Sequence, residues 1–115
     1  MKVFRTVKVS IYRKRESFTM RIYRARQDVV LTKVCGEYML VATRSAQGKC
    51  PMVQHINASA ALLWMSLEEG ASIEDLKTVL SENYRIPHRD YEEDVINLLT
   101  ALNNAGYLLE DTVEV

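Results

Sequence analysis

The stretch H-I-N-A-S-A-A-L-L-W-M-S-L-E-E-G, residues 55–70, decides the fold because strand patterns give way to helix patterns within it. Asn57 is a favourable helix N-cap, since its side-chain oxygen can accept from amide groups that the first helical turn leaves without partners. Gly70 can adopt the left-handed conformation that ends a helix. Trp64, the single tryptophan of the chain, lies among apolar neighbours and is predicted to anchor the core.

Before this stretch, runs of β-branched and aromatic residues predict a small sheet. Residues 29–34 and 38–43 form a predicted hairpin, and residues 51–56 form a third short strand. Pro51 has no amide hydrogen to donate, so we expect this third strand to lie at an edge of the sheet. Residues 1–26 alternate apolar and polar side chains in places, which predicts a further strand or strand pair.

After this stretch, the patterns predict two more helices. Ser72 and Asp75 have the spacing of a capping box, and apolar residues then recur at three- and four-residue steps. Pro87 prevents this helix from continuing. Asp90 is the predicted N-cap of the third helix, whose first turn is rich in carboxylates and which ends at Gly106.

The order of these elements predicts the fold class. Strands followed by three short helices indicate an α+β, winged-helix-like domain, with a three-stranded antiparallel sheet followed by a three-helix bundle. We assign residues 20–111 to this domain and residues 1–19 to a basic extension, which forms an extra strand or an arm. Residues 107–109 are predicted to return as a strand or to pack beneath the helices, and residues 112–115 to form a frayed tail.

Length and composition are those of an ordinary globular chain. The 115 residues are 48% hydrophobic and 26% charged, which predicts one domain. No apolar run reaches the roughly 20 residues needed to cross a bilayer, and no secretory signal is evident. A cytoplasmic location is therefore expected. Cys35 and Cys50 are too far apart for a CxxC site and are predicted to be free thiols.

A net charge of zero conceals an asymmetry. Residues 1–27 carry nine Lys or Arg and one Glu, a net charge of +8, and the rest of the chain carries six Lys or Arg and fourteen Asp or Glu, a net charge of −8. Such a basic arm can bind nucleic acid or an acidic surface, including its own body or a second copy of the chain.

The sequence offers little for catalysis. His55 and His88 stand apart from any cysteine or carboxylate at metal-ligand spacing. The four glycines stand singly, so no phosphate-binding loop is present. The carboxylates of residues 90–94 are interpreted as a charged helix N-terminus. The sequence therefore predicts a protein that is not an enzyme and uses no metal and no cofactor.

Two binding functions remain. A winged-helix regulator would place the N-terminal end of the third helix in the DNA major groove, but four carboxylates against Arg89 would repel phosphates there. The second is peptide capture, in which an extended peptide adds to the edge strand beside the third helix.

The energetics of peptide capture indicate what such a site needs. Ordering six peptide residues costs roughly 6–12 kcal/mol of backbone entropy, whereas six strand hydrogen bonds return about 3–9 kcal/mol. Two or three apolar anchors, at about 1.5–3 kcal/mol each, must supply the balance. We expect the anchoring groove to be lined by Met52, Val53 and Gln54 on the strand and by Val95, Leu98, Ala101 and Leu102 on the helix.

Four blocks of this sequence resemble the PqqD-like peptide chaperones, the recognition elements for ribosomally made, post-translationally modified peptides. They are G-E-Y-M-L-V (residues 36–41), H-I-N-A-S-A-A-L-L-W (55–64), S-I-E-D-L-K-T-V-L-S-E-N-Y (72–84) and D-V-I-N-L-L-T-A-L-N-N-A-G-Y-L (94–108). All four occur in order, and the resemblance covers residues 20–111.

The resemblance implies a non-catalytic protein with three strands packed on three helices. It implies that the leader of a precursor peptide adds to the third strand, lies against the third helix and is delivered to a modifying enzyme, often a radical S-adenosylmethionine enzyme. The leader site would comprise Pro51, Met52, Val53, Gln54, His55, Asp94, Val95, Leu98, Ala101 and Leu102.

The basic extension, residues 1–19, departs from the compact form of this family. Its apolar strand pattern at residues 7–12 could occupy the groove, in the same chain or in a swapped homodimer. Two alternatives to the peptide chaperone stay open, namely the winged-helix DNA-binding regulator and a purely structural oligomerisation module.

Overall fold

A computed structural model describes residues 19–87 and 89–114 of the chain. In chain order, the elements are β1 (Thr19–Ala25), β2 (Val29–Val34), β3 (Glu37–Ala42), a short 3-10 turn (Arg44–Ala46), β4 (Val53–Ile56), α1 (Ala58–Glu69), α2 (Ile73–Tyr84), α3 (Glu92–Ala105) and β5 (Leu108–Glu114). β2, β3 and β4 form an antiparallel sheet in that order. The predicted three-stranded antiparallel sheet followed by three helices is confirmed.

The hairpin between β2 and β3 has a two-residue turn. Val34 pairs with Glu37, and both intervening residues, Cys35 and Gly36, have positive φ angles of 51° and 80°. Positive φ at both positions is typical of the type I′ turn, whose twist matches that of the paired strands. Cys35 and Cys50 are both free thiols, as predicted.

The helix ends follow local side-chain signals. The Asn57 side chain accepts from the amide of Ala60 at 2.8 Å, and Ser72 and Asp75 form a reciprocal capping box. The prediction of Asp90 as N-cap is wrong by one residue, because Tyr91 occupies that position. The Asp90 carboxylate nevertheless accepts from the amide of Glu92 at 3.0 Å, so it still satisfies a first-turn donor.

The core lies between the sheet and the helices, with Trp64 at its centre. This side chain is 0% exposed, and its ring meets that of Tyr107 edge-on with centroids 6.1 Å apart. The other large side chains that are fully buried are Leu40, Leu67, Leu76 and Val95. The prediction that Trp64 anchors the core is confirmed.

β1 and β5 form a separate two-stranded antiparallel ribbon. Two backbone hydrogen bonds of 2.8 and 2.9 Å between Tyr23 and Ala71 join it to the segment between α1 and α2. Residues 112–114, predicted as frayed, belong to β5, because pairing with β1 gives their backbone groups partners. The predicted strand at residues 7–12 lies outside the described residues, as do His88 and all of the basic extension except Thr19. None of the described helices combines the length and apolarity needed to span a membrane.

Candidate functional site

β4 lies at an edge of the three-stranded sheet, as the sequence predicts. It pairs with β3 on one side, and no strand in residues 19–87 or 89–114 pairs with its other side. Val53, Gln54 and His55 are exposed, and only Ile56 is partly buried. The strand therefore presents an open row of backbone groups, which is the arrangement that accepts an added strand.

The pairing register shows which backbone groups face this open edge. The amide of Ala42 donates to the carbonyl oxygen of Met52 at 2.8 Å. Because hydrogen-bonded pairs alternate along an antiparallel ladder, Gln54 and Ile56 bond to β3. The amides and carbonyls of Val53 and His55 therefore point away from the sheet.

The Gln54 side chain satisfies one of these outward acceptors. Its amide Nε2 donates to the carbonyl oxygen of His55 at 3.2 Å. A guest strand that paired with His55 would replace this hydrogen bond by one from its own backbone.

A cavity of about 350 Å³, here named the edge cleft, separates β4 from α3. The helix contributes Leu98, Ala101, Leu102 and Ala105, which share one face because they recur at three- and four-residue steps. The strand side and the floor consist of Gln54, His55, Ile56, Asn57, Ala60 and Tyr107.

The carboxyl end of α3 holds the two walls of the edge cleft together. The Tyr107 hydroxyl donates to the carbonyl oxygen of Pro51 at 2.9 Å, and burial raises the pKa of this phenol. Gly106 has a φ of 90°, and a Cβ there would overlap the carbonyl oxygen of Lys49. The segment before β4 can therefore approach α3 closely only because residue 106 is glycine.

A second cavity of about 510 Å³, here named the helix pocket, opens between the ends of the three helices. Asn57, Ala60 and Leu98 line both cavities, so the two are continuous around Leu98. The remaining walls of the helix pocket consist of Ser59, Leu63, Leu80, Tyr84, Ile86, Arg89, Tyr91, Asp94 and Asn97.

Sequence reasoning missed the helix pocket. The available signal was the pair of large apolar residues at the carboxyl end of α2, namely Tyr84, its last residue, and Ile86, which follows the helix. The structure leaves these side chains 44% and 50% exposed, and exposed large apolar side chains that lie together are a feature of binding sites.

The predicted site residues separate into four groups, of which the fourth is formed by the residues at the start of the β4 segment. Gln54, His55, Leu98, Ala101 and Leu102 meet in the edge cleft. Asp94 lies in the helix pocket, and Val95 is 0% exposed. The expectation that Val95 lines the groove surface is therefore wrong, because this residue faces the core.

The other predicted residues of the β4 segment do not line the edge cleft. Pro51 and Met52 precede the strand and are exposed. Val53 shares a sheet face with its β3 partner Val41 and lies opposite to the face of Leu40, which is buried in the core.

Two cations near the amino end of α3, Arg89 and Lys77, are already in ion pairs. Arg89 donates to Asp94 Oδ2 at 2.6 Å, and this hydrogen bond raises the pKa of the guanidinium. Lys77 contacts Glu92 at 3.3 Å and Glu74 at 3.4 Å, and the hydrogen bond to Glu92 is the main cause of its raised pKa. An end rich in carboxylates, with its neighbouring cations in ion pairs, is poorly suited to bind phosphates.

The sequence predicts that neither His55 nor His88 belongs to a metal site. Among the described residues, no three His, Cys, Asp or Glu side chains form a group that could hold a metal ion. His55 Nδ1 lies 3.6 Å from Glu37 Oε1, and both side chains are exposed.

Comparisons with known proteins agree with this architecture. A structure described as lasso peptide synthetase B1 complexed with the leader peptide is 26% identical, has a TM-score of 0.58, and aligns over 76% of this chain and 96% of its own. A structure of TbiB1 in complex with the TbiA(beta) leader peptide is 22% identical, has a TM-score of 0.57, aligns over 74% of this chain and 93% of its own, and shows likeness of fold. No curated protein matches the chain. The family described as coenzyme PQQ synthesis protein D (PqqD) matches residues 37–108, so this chain belongs to the PqqD family.

Proposed function

We propose that this protein is a non-catalytic peptide chaperone. It binds the leader of a ribosomally made precursor peptide by strand addition to β4 and presents the precursor to a modifying enzyme. The observation that carries the proposal is the open edge of β4, where the backbone groups of Val53 and His55 point outward beside the edge cleft. The two similar solved structures reported above are each described as a complex with a leader peptide.

Magnitudes indicate how the guest is held. Val53 and His55 together offer four outward backbone groups, and four hydrogen bonds contribute about 2–6 kcal/mol. Ordering four guest residues costs roughly 4–8 kcal/mol, so backbone pairing alone is insufficient. Apolar anchors at about 1.5–3 kcal/mol each make the complex stable. Affinity and selectivity therefore reside in the cavities.

The two cavities take different parts of the guest. Guest side chains on the same face as Gln54 and Ile56 point toward α3 and enter the edge cleft, and they recur at every second guest residue. The helix pocket lies past Asn57, so only a guest that extends past Ile56 reaches it. The apolar part of its lining, which includes Leu63, Leu80 and Ile86, suits one large apolar side chain.

The enzyme partner is proposed by class only, as a peptide-modifying enzyme. That it is a radical S-adenosylmethionine enzyme, as the resemblance implies, stays a prediction. Homodimer formation through residues 1–19 also stays a prediction.

The proposal is tested by isothermal titration calorimetry, in which short peptides encoded beside this gene are titrated into the protein. Leu98→Asp places a charge where the two cavities meet and should weaken binding at least tenfold, because burying an unpaired carboxylate is costly. Ile96→Asp is the matched control. Ile96 is also an apolar residue of α3, exposed where Leu98 is partly buried, and it faces the side of β1 and not the edge cleft, so this variant should bind normally.

Two results would contradict the peptide-chaperone function. One is that none of the peptides binds the unmodified protein. The other is that both α3 variants bind alike. A gel shift with duplex DNA at several salt concentrations examines the regulator alternative, since a phosphate-driven complex must weaken steeply as salt rises.

A further inference from the structure

The face of the sheet turned away from the helices carries a row of three valines that ends at the open edge. Val30 pairs with Val41 and Val41 with Val53, so one valine from each strand lies side by side. Val30 and Val53 are 49% and 50% exposed. This set of Val30, Val41 and Val53, here named the valine row, is not covered by any helix among the described residues, since α1 and α3 pack against the opposite face, where Leu40 is buried.

The pairing register of β3 and β4 determines which guest residue would lie next to the valine row. We take the guest to add antiparallel to β4, in the manner of the other strands of this sheet. Since the backbone groups of Val53 point outward, an antiparallel guest residue directly opposite Val53 would exchange hydrogen bonds with it. Side chains of directly opposed residues project from the same face, with Cβ atoms about 4.5–5.5 Å apart. The guest side chain opposite Val53 therefore becomes the fourth member of the row.

Two residues further along β4, the same face of the sheet carries a polar side chain. His55 is the neighbour of Val53 on this face, and its imidazole lies 3.6 Å from the Glu37 carboxylate. A guest residue opposite His55 meets this exposed polar pair. Along one face of the guest, an apolar environment thus lies two residues from a polar one.

We infer that the protein reads its guest on both faces of the added strand, with a β-branched apolar residue selected opposite Val53 in addition to the anchors that enter the edge cleft. This inference rests on the proposed function and adds a specificity determinant to it. β-Branched side chains are favoured because they pack well against cross-strand neighbours on a pleated surface. The preference at the position opposite His55 is polar.

A display experiment tests this reading directly. A library of random twelve-residue peptides is selected on the unmodified protein and on Leu98→Asp, Val53→Lys, Val53→Thr and Val30→Lys, with folding of each variant checked by thermal unfolding. Positions whose apolar preference disappears on Leu98→Asp identify the residues that enter the edge cleft. On an antiparallel guest, two such residues lie opposite Ile56 and then Gln54. The position between them is opposite His55, and the position that follows the second of them is the one opposite Val53.

The expected result is enrichment of Val or Ile at that position by roughly twofold to fivefold. Val53→Lys should replace this enrichment by Asp and Glu, whereas Val53→Thr, which stays β-branched, should retain it. Val30→Lys is the matched control, since Val30 lies on β2, two strands and about 10 Å away from Val53, and it should leave the preference unchanged.

The outcomes separate this inference from the proposed function. If no peptide is enriched on the unmodified protein, the proposed function fails and the inference fails with it. If peptides are enriched and respond to Leu98→Asp, but the position opposite Val53 has no preference or keeps it on Val53→Lys, only the inference about the outer face is wrong.

Discussion

β3 and β4 are neighbouring strands of one sheet, yet they differ in how they are held. Leu40 and Ala42 of β3 are buried in the core, and β3 has a hydrogen-bonded strand on each side. β4 has no fully buried residue and one open edge among the described elements. Side-chain packing thus fixes β3, whereas backbone pairing and the contacts of the α3 terminus fix β4.

This difference distinguishes the residues that stabilise the fold from the residues that are available to bind a guest peptide. A strand that contributes little to the core can keep its outward backbone groups and its side chains available without loss of stability. Changes in the core should therefore reduce stability first, and changes along β4 should alter binding with little effect on stability. Four predictions test this separation.

The largest expected effect is in the core. Trp64→Ala should lower the free energy of unfolding by about 3–5 kcal/mol, since it opens a cavity beside Tyr107. Met65→Ala is the matched control, because Met65 is the adjacent α1 residue but is exposed, and its cost should stay below about 1 kcal/mol. Urea denaturation measures both. Similar losses for the two variants would mean that the core is not centred on Trp64.

The second prediction concerns the contact that holds β4 near α3. Gly106→Ala should destabilise the protein by more than the roughly 1–2 kcal/mol cost of a left-handed conformation, because the added Cβ also meets the carbonyl of Lys49. Gly36→Ala is the control, since Gly36 also has a positive φ but no atom lies near its Cβ position. Equal losses in urea denaturation would show that the close approach contributes nothing.

The sequence predicted the elements that local chemistry specifies. Asn57 and the Ser72 capping box mark helix starts by side chains that satisfy backbone amides nearby, and the Gly36 turn fixes the hairpin register. The pairing of β1 with β5 could not be predicted, because it joins the two ends of the described chain and depends on tertiary packing.

Only a part of the candidate site was predicted, because the rest of it also depends on tertiary packing. A periodic stripe indicates which α3 residues are apolar, but not where the stripe passes from core to surface. From the sequence, Val95 and Leu98 were equally good candidates to line the binding groove. In the structure, only Leu98 borders the cavities. The helix pocket draws its walls from three helices, so no single segment indicates it.

The third prediction concerns the pH dependence of stability. It tests an ion pair just before β2, far from the open edge of β4. The Arg26 guanidinium donates to the Asp28 carboxylate at 3.0 and 3.2 Å, and this is the main cause of the lowered pKa of Asp28. Ser45 donates to the same carboxylate. A carboxyl with a lowered pKa stabilises the fold above its unfolded-state pKa of about 3.9 and loses that contribution as pH falls through the folded-state value.

Asp28→Asn should therefore be less stable than the unmodified protein at pH 7, and the difference should shrink below about pH 4. Thermal unfolding between pH 2.5 and pH 7 measures this. Glu37→Gln is the control, because the Glu37 side chain is exposed beside His55, so its effect should be small at every pH. A constant difference between Asp28→Asn and the unmodified protein would contradict the role of the Arg26 ion pair.

The smallest expected effect on stability lies on β4 itself. His55→Ala removes the contact with Glu37, but both side chains are about two-thirds exposed, and water screens exposed ion pairs strongly. The free energy of unfolding in urea should therefore change by less than about 0.5 kcal/mol. Because β4 keeps its place through backbone bonds to β3, which alanine retains, the strand should persist, and amide exchange at Gln54 and Ile56 should stay as slow as in the unmodified protein. A loss above about 1 kcal/mol, or fast exchange at these two amides, would mean that the edge strand depends on its own side chains, and the contrast with β3 would then be wrong.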